Sequence, residues 1–509
     1  MRAGRPPSWR WILAGAIVLP LIYLPSLTSP FDFADDGNLV YAAPAQPIAD
    51  RLRLIWQSVT ADFQHRGPFR PAQWVYYVVQ AELLDGNPLQ FRMARLLWAA
   101  LAAGMLLWLF SELRIHPGAA LLAAAMAMWN PFRGEIWRTL APTEGIGMPF
   151  GLVALVCAIR AARSAQPLPW DVAGIVSVLI AMACKNTFAA VVPAQMLLRI
   201  MADGISWRAG WRRHDSRALW IATTLLLPVG HLVYFRLQWH AGQHELHVPT
   251  LPHLGQILKG LSRAMRLEVF APAVALTAAA LIAARKGQAE SGRSLSSPYR
   301  AALIAGAALL LAGIGTYLPA RVAMAGRYTV PAAWGLDLGL AVLCTVLLRT
   351  PSTGWKRAAL VAFSVGLTVI AVRAVALQAA NAARSGVVWQ ALRFVEREAP
   401  PGAGVAWTVA PAVGGDRMGE AIHFGWHLGN RSRRDLRYGL IDDEGRPHRR
   451  PEIPGAPPEH LDVVVTTDPV APRLLRPDPA RWERVPFRAL LGRGRWHECY
   501  VWIRRSAGG

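Results

Sequence analysis

The chain is poor in charge, in acidic residues above all, and in cysteine. Only 17% of its 509 residues are charged while 53% are hydrophobic, which excludes an ordinary soluble protein of this length. Four cysteines build no disulfide framework. Cys157, Cys184 and Cys344 lie in apolar runs as small core residues, and Cys499 stands alone in the C-terminal region. Asp and Glu number 32 against 54 Lys and Arg, a net charge of +22. No nucleic-acid motif accompanies that excess, so nucleic acid is not the expected partner; loops facing anionic lipid account for it. The first apolar run, preceded by Arg2, Arg5 and Arg10, ends in Tyr23-Leu-Pro-Ser-Leu-Thr28 without an Ala-x-Ala cleavage site. It therefore reads as an uncleaved signal anchor.

Apolar sequence is what the chain has in abundance. Runs near 11–27, 94–113, 118–132, 147–163, 171–184, 187–201, 218–237, 269–284, 301–318, 329–348 and 358–376 read as about 11 transmembrane helices. Three of them (118–132, 171–184 and 187–201) are short for roughly 30 Å of hydrocarbon. Short, broken segments suit helices that line a cavity. With a cytoplasmic N-terminus, the inner loops hold Arg160 and Arg163, then Arg199, Arg208, Arg212, Arg213 and Arg217. Arg285, Lys286, Arg293 and Arg300 follow, and lastly Arg349, Lys356 and Arg357, as the positive-inside rule requires. An odd number of spans then puts the tail outside. The expected fold is an all-α polytopic membrane protein over 1–376 with a small extracytoplasmic α/β domain over 377–509. The Ala/Arg/Gly/Pro-rich composition points to a bacterial cytoplasmic (inner) membrane.

Three external regions are large enough to hold a site: 28–93, 133–146 and 238–268. In the first, Ile48, Leu52, Ile55, Trp56 and Val59 space an amphipathic helix over Ile48–Asp62, suited to lying on the membrane. The third carries His240, His244 and His247 at helical spacing, but Pro249 and Pro252 make it loop and argue against a metal site. In the tail, Val387–Glu398 reads as a helix, and Gly404–Ala410, His460–Thr467 and Glu498–Ile503 as strands. The tail holds no internal repeat.

The chemistry concentrates in Phe31-Asp-Phe-Ala-Asp-Asp-Gly37, just past the first apolar run. Unpaired carboxylates at a membrane edge are costly and usually have a task. Asp35 and Asp36 are the candidate catalytic pair, able to take a proton from a hydroxyl; Asp32 reads as a helix cap. Arg66, Arg70, Arg321 and Arg327, with Lys185 at the junction of two short spans, are candidates for gripping a phosphate. Glu135 and Glu144 either hold acceptor hydroxyls or pair with Arg133 and Arg138. A base beside several cations describes group transfer from a lipid phosphate or pyrophosphate to a hydroxyl.

Phe33-Ala-Asp-Asp36, Arg70-Pro71, Trp74-Val-Tyr-Tyr77, Leu84-Asp-Gly-Asn-Pro88 and Phe91-Arg92 resemble the start of GT-C glycosyltransferases. The nearest likeness is to protein O-mannosyltransferases, in particular the transmembrane ones with tetratricopeptide tails. Lys185 matches the family's Lys-Glu pair, and Arg327-Tyr328…Pro331 its late Arg-Tyr…Pro segment. The likeness is strongest over 28–113 and extends in outline to about 376. It implies inverting transfer of a sugar from a polyprenyl-phosphate donor to an extracytoplasmic glycan, lipid or protein acceptor, at the surface of the lipid bilayer. It makes Asp35 the base or its partner and has Arg70, Lys185 and Arg327, flanked by Arg66 and Arg321, contact the donor phosphate. Glu135, Arg138, Glu144 and Tyr328 fall to the acceptor or sugar. Asn186 stands where the family has Glu, Ala34 where it often has a bulkier residue, and the tail lacks the repeats. No cofactor is called for, and no ligand pattern indicates a divalent metal. Two alternatives stay open: a lipid-linked oligosaccharide transferase or ligase, and a transporter or flippase of lipid-linked sugars. The latter calls for mid-span charges and symmetry between halves.

Overall fold

A computed structural model describes residues 9–32, 36, 48–61, 69–84, 87–140, 142–202, 230, 251–286, 297–317, 326–349, 354–408, 415–433, 435–447, 460–468, 472–475, 479–490 and 496–505. The chain is mostly helical with a small C-terminal sheet. Among the described residues, six helical stretches are long and apolar enough to cross a membrane: Trp9–Thr28, Pro88–Glu112, Glu144–Arg163, Pro298–Thr316, Ala332–Arg349 and part of Gly354–Glu398. Pro117–Trp129, Leu168–Cys184 and Val269–Ala279 are apolar but shorter. The run expected at 218–237 lies, Gly230 apart, outside the described residues.

The first span changes character half-way. α1 (Trp9–Val18) passes into a 3-10 stretch at Leu19–Thr28, where Pro20 and Pro25 remove backbone donors. Carbonyls freed inside a membrane need donors from neighbouring helices, and two are supplied. Trp129 Nε1 donates to Leu19 O at 2.9 Å and Gln378 Nε2 to Ile22 O at 2.9 Å.

Next come α2 (Ile48–Ala61), α3 (Pro71–Leu83), α4 (Pro88–Glu112), α5 (Pro117–Trp129), the single turn α6 (Glu135–Arg138), α7 (Glu144–Arg163), α8 (Leu168–Cys184) and α9 (Val191–Met201). After a gap follow α10 (Leu251–Met265), α11 (Leu267–Lys286), α12 (Ser297–Tyr317) and α13 (Ala332–Arg349). α7 packs on α4, α8 and α9, and α12 on α9 and α13. α12 and α13 approach so closely that a Cβ at Gly335 would meet Gly306 O at 2.1 Å. Small residues are what allow such contact between membrane helices.

The amphipathic helix expected at 48–62 is α2. It turns Ile55 and Val59 inward and leaves Leu52 and Trp56 exposed. Val59 joins Phe31, Trp74, Tyr77, Val78, Ala81, Phe91 and Leu140 in a separate apolar cluster that caps one end of the bundle.

α14 (Gly354–Glu398) is one helix of 45 residues, about 67 Å long at 1.5 Å per residue. The helix expected separately at Val387–Glu398 is its last third, and the boundary expected between 376 and 377 lies inside it. Ala374–Ala383 contains strong helix formers and no proline, so nothing stops the helix where apolar sequence ends. Trp389, beyond that point, packs against Phe31 at 6.1 Å between ring centres.

The tail sheet has the order β2-β1-β3-β5-β4, with β1 (Gly404–Thr408), β2 (Arg437–Ile441), β3 (Val463–Thr466), β4 (Trp482–Leu490) and β5 (Trp496–Arg504). β1 runs parallel to β2 and β3; β5 is antiparallel to β3 and β4. Three strands lie where the sequence puts them. β2, β4 and the helix α15 (Gly415–His427) do not follow from it. One sheet face, including Val405, Trp407, Val463, Val465, Cys499 and Val501, packs on Val387, Val388, Leu392 and Val395 of α14 and on Phe424 of α15. Burial in that core pushes the Cys499 thiol well above the ordinary thiol range. Only thiolate reacts appreciably with maleimide. Peptide mass spectrometry should therefore find Cys499 unlabelled in the folded protein at pH 8 and labelled once it is unfolded.

Candidate functional site

Proline at α3 and α4 starts, and the turns between spans, gather the charged residues at the end of the bundle capped by the Phe31–Leu140 cluster. The segment 130–144 organises them. Asn130 Oδ1 accepts from the backbone N–H groups of Phe132 and Arg133 at 2.9 and 3.2 Å, an Asx turn that starts the reversal. α6 follows, and Thr139 Oγ1 donates to Glu135 O at 3.0 Å.

The Asp-Asp segment is tied to this turn. Asp36 is fully buried. Its Oδ2 accepts from Asp32 N at 2.9 Å, its Oδ1 accepts from Leu140 N at 2.7 Å, and Arg92 Nη2 lies 3.5 Å from Oδ2. Arg92 also donates to Pro30 O at 2.8 Å, to Ser29 Oγ at 3.4 Å and to Arg138 O. Arg95, one turn further along α4, donates to Pro142 O at 2.9 Å and to Leu140 O. Both oxygens of Asp36 are thus engaged, tying it to Asp32, Leu140 and Arg92. Asp35 lies outside the described residues.

Several charged groups are within electrostatic reach of Tyr77. Arg70, Arg95, Arg327 and Glu144 all act electrostatically on its buried hydroxyl, which burial holds well above the ordinary phenol range. Glu144 in turn faces Lys185 Nζ at 3.0 Å. That pair is set by the backbone: Thr143 Oγ1 donates to Cys184 O at 2.8 Å, and the next residue on each side is Glu144 or Lys185. Arg327 Nη1 lies 3.3 Å from Glu135 Oε1, and its backbone N–H donates to Glu135 Oε2 at 3.3 Å. Arg70 immediately precedes α3, and its Nε is buried without an acceptor among the described residues.

Glu135 and Glu144 are therefore in ion pairs, but with Arg327 and Lys185 rather than with Arg133 and Arg138. Arg133 makes a bidentate bond to Asp337 at 2.7 and 2.9 Å, both side chains buried. Arg138 donates to Pro131 O at 2.9 Å, within its own turn. The reason is local. Gly326 has φ +51°, a conformation that favours glycine, and a Cβ there would press on Glu135 Oε2, the end of the side chain that pairs with Arg327. Gly326→Ala is expected to push Glu135 off Arg327 and destabilise by about 1–3 kcal/mol. Thermal unfolding in detergent measures this, and adding Glu135→Ala should recover part of the loss.

Arg66 and Arg321 lie outside the described residues, as does the side chain of Tyr328. Glu144 is brought to Lys185 and Glu135 to Arg327, and Arg70 and Arg327 both act on Tyr77; Asp36 and Arg138 stand in supporting bonds to Leu140, Arg92 and Pro131. The roles of Arg92, Arg95 and Tyr77 are not foreseeable from their neighbours in sequence. Asp337 carried a signal, a carboxylate inside an apolar run. Chemically, among the described residues, Arg70, Lys185 and Arg327 outnumber Glu135 and Glu144, a positive balance able to take an anion. No protein-family model matches this chain, and no curated protein matches it.

Proposed function

We propose that this protein is an inverting GT-C-type glycosyltransferase with about 11 spans in a bacterial inner membrane and its tail outside. It moves a sugar from a polyprenyl-phosphate donor to an acceptor hydroxyl. The observation that carries the reading is the pairing of Lys185 with buried Glu144 and of Arg327 with Glu135, Arg327 also acting on Glu144, in a chain whose Asp36 is anchored to Leu140. The leaving phosphate would be neutralised by these cations, while Glu135 and Glu144 hold the Arg327 and Lys185 side chains in place. The acceptor oxygen attacks the anomeric carbon as its proton passes to a carboxylate, and the bond to the phosphate oxygen breaks.

Because the oxygens of Asp36 are committed to backbone N–H groups and to Arg92, the base is Asp35 and Asp36 positions it. Asp35→Asn is expected to lower kcat by about 10²–10⁴ with the unfolding temperature unchanged. Asp36→Asn should lower the unfolding temperature and kcat together. Full transfer activity in both variants would sink the assignment.

A further inference from the structure

The tail sheet has a second face, and its β4–β5 edge differs from the rest. Opposite the face that packs on α14, the cross-strand register sets Trp482 beside Arg504, Arg484 beside Trp502, Pro486 beside Tyr500 and Arg488 beside Glu498. Arg484, Arg488 and Arg504 are exposed, while Trp482 and Trp502 are half-buried. The Tyr500 ring, fully buried, lies beneath two guanidinium groups: Arg484 at 4.2 Å and Arg488 at 5.7 Å from its centre. Arg484 also lies 5.7 Å from the Trp502 ring. The stacking holds both guanidinium groups over one ring, Arg488 also donating to the Tyr500 hydroxyl at 3.3 Å, and such prior ordering lowers the cost of binding an anion.

The charge on this strip is not balanced internally. Arg488 pairs with Glu498 at 3.1 Å, whereas Arg484 and Arg504 have no carboxylate partner among the described residues. The Trp502 Nε1 donor is buried with no acceptor among the described residues. Burial of an unpartnered donor is costly and rare. A merely solvated edge needs charge to discourage pairing but has no use for tryptophans interleaved with it.

We propose that this face of β4 and β5 is a binding surface for an acidic saccharide chain. Sugar rings would rest on Trp482 and Trp502, and their carboxylate or phosphate groups would be gripped by Arg484, Arg504 and Arg488. Single-stranded nucleic acid offers similar chemistry; the external position of the tail, read from the basic loops, favours the saccharide. The surface is remote in sequence from the Arg70–Arg327 cluster, and its binding does not depend on any transfer reaction.

The test uses the full chain in nanodiscs of neutral phosphatidylcholine and follows tryptophan fluorescence. The probes are an oligogalacturonate of about eight sugars, a neutral malto-oligosaccharide of the same length and a thymidine oligonucleotide of matched charge. Saturable, salt-sensitive binding of the oligogalacturonate is expected, at least about tenfold tighter than the neutral chain. The Arg484→Gln/Arg488→Gln variant should bind about tenfold more weakly, and Trp482→Ala, with an intact far-UV spectrum, should bind more weakly at every salt concentration. Equal binding by wild type and the double variant overturns the proposal, as does no binding of oligogalacturonate, equal binding of the neutral chain, or preference for the oligonucleotide.

Discussion

Asp337→Ala is expected to destabilise the protein by about 3–5 kcal/mol, because it leaves Arg133 charged, buried and without its bidentate partner. Arg133 also begins the turn that presents Glu135, so the variant should loosen the hold on Arg327 as well. The pair itself is not the source of stability: desolvating two charges offsets most of their attraction. Arg133→Met/Asp337→Leu should therefore unfold much closer to wild type than Asp337→Ala does. A double-mutant cycle in thermal or denaturant unfolding of the detergent-solubilised protein measures the coupling. Additive single effects would mean that the pair does not form.

Arg327→Gln has the second large expected effect, this time on activity. Removing one preorganised cation from a developing phosphate charge lowers kcat by about 10²–10³. Stability should change little, since Glu135 keeps 30% of its side chain exposed and can be solvated when its partner is gone. Lys185 is not equivalent. Glu144 is buried, so Lys185→Ala would strand a charge and confuse stability with function; Lys185→Gln with Glu144→Gln is the cleaner variant. A variant at Arg327 that unfolds early, or that transfers at the wild-type rate, would remove the residue from the phosphate site.

Those two variants separate what holds the site from what acts in it, a distinction only partly legible in the sequence. The apolar runs and the basic loops mark the helices because burial in lipid demands long unbroken apolarity. Val463–Val465 marks a buried strand by its β-branched run. β4 escapes notice because an edge strand tolerates Pro486 and carries Arg484 and Arg488, all of which argue against a strand read in isolation. The stop expected near residue 376 is absent because helix formers continue past the point where hydrophobicity falls. Partners are the least legible feature. Arg133 finds Asp337 and Glu135 finds Arg327 across some two hundred residues, and no local spacing encodes such contacts. The two residues brought side by side, Glu144 and Lys185, each sit at the end of an apolar run, which is why both stood out as candidates even though their pairing did not.

The cation cluster is proposed to serve sugar transfer from a lipid phosphate. The most direct measurement reconstitutes the purified protein in liposomes with a panel of radiolabelled polyprenyl-phosphate sugars and follows where the label goes. One donor is expected to lose its sugar to an acceptor hydroxyl with inverted anomeric configuration, and Asp35→Asn to abolish the release. Donor that changes leaflet intact, at the same rate in wild type and Asp35→Asn, would contradict it and make the chain a carrier of lipid-linked sugars.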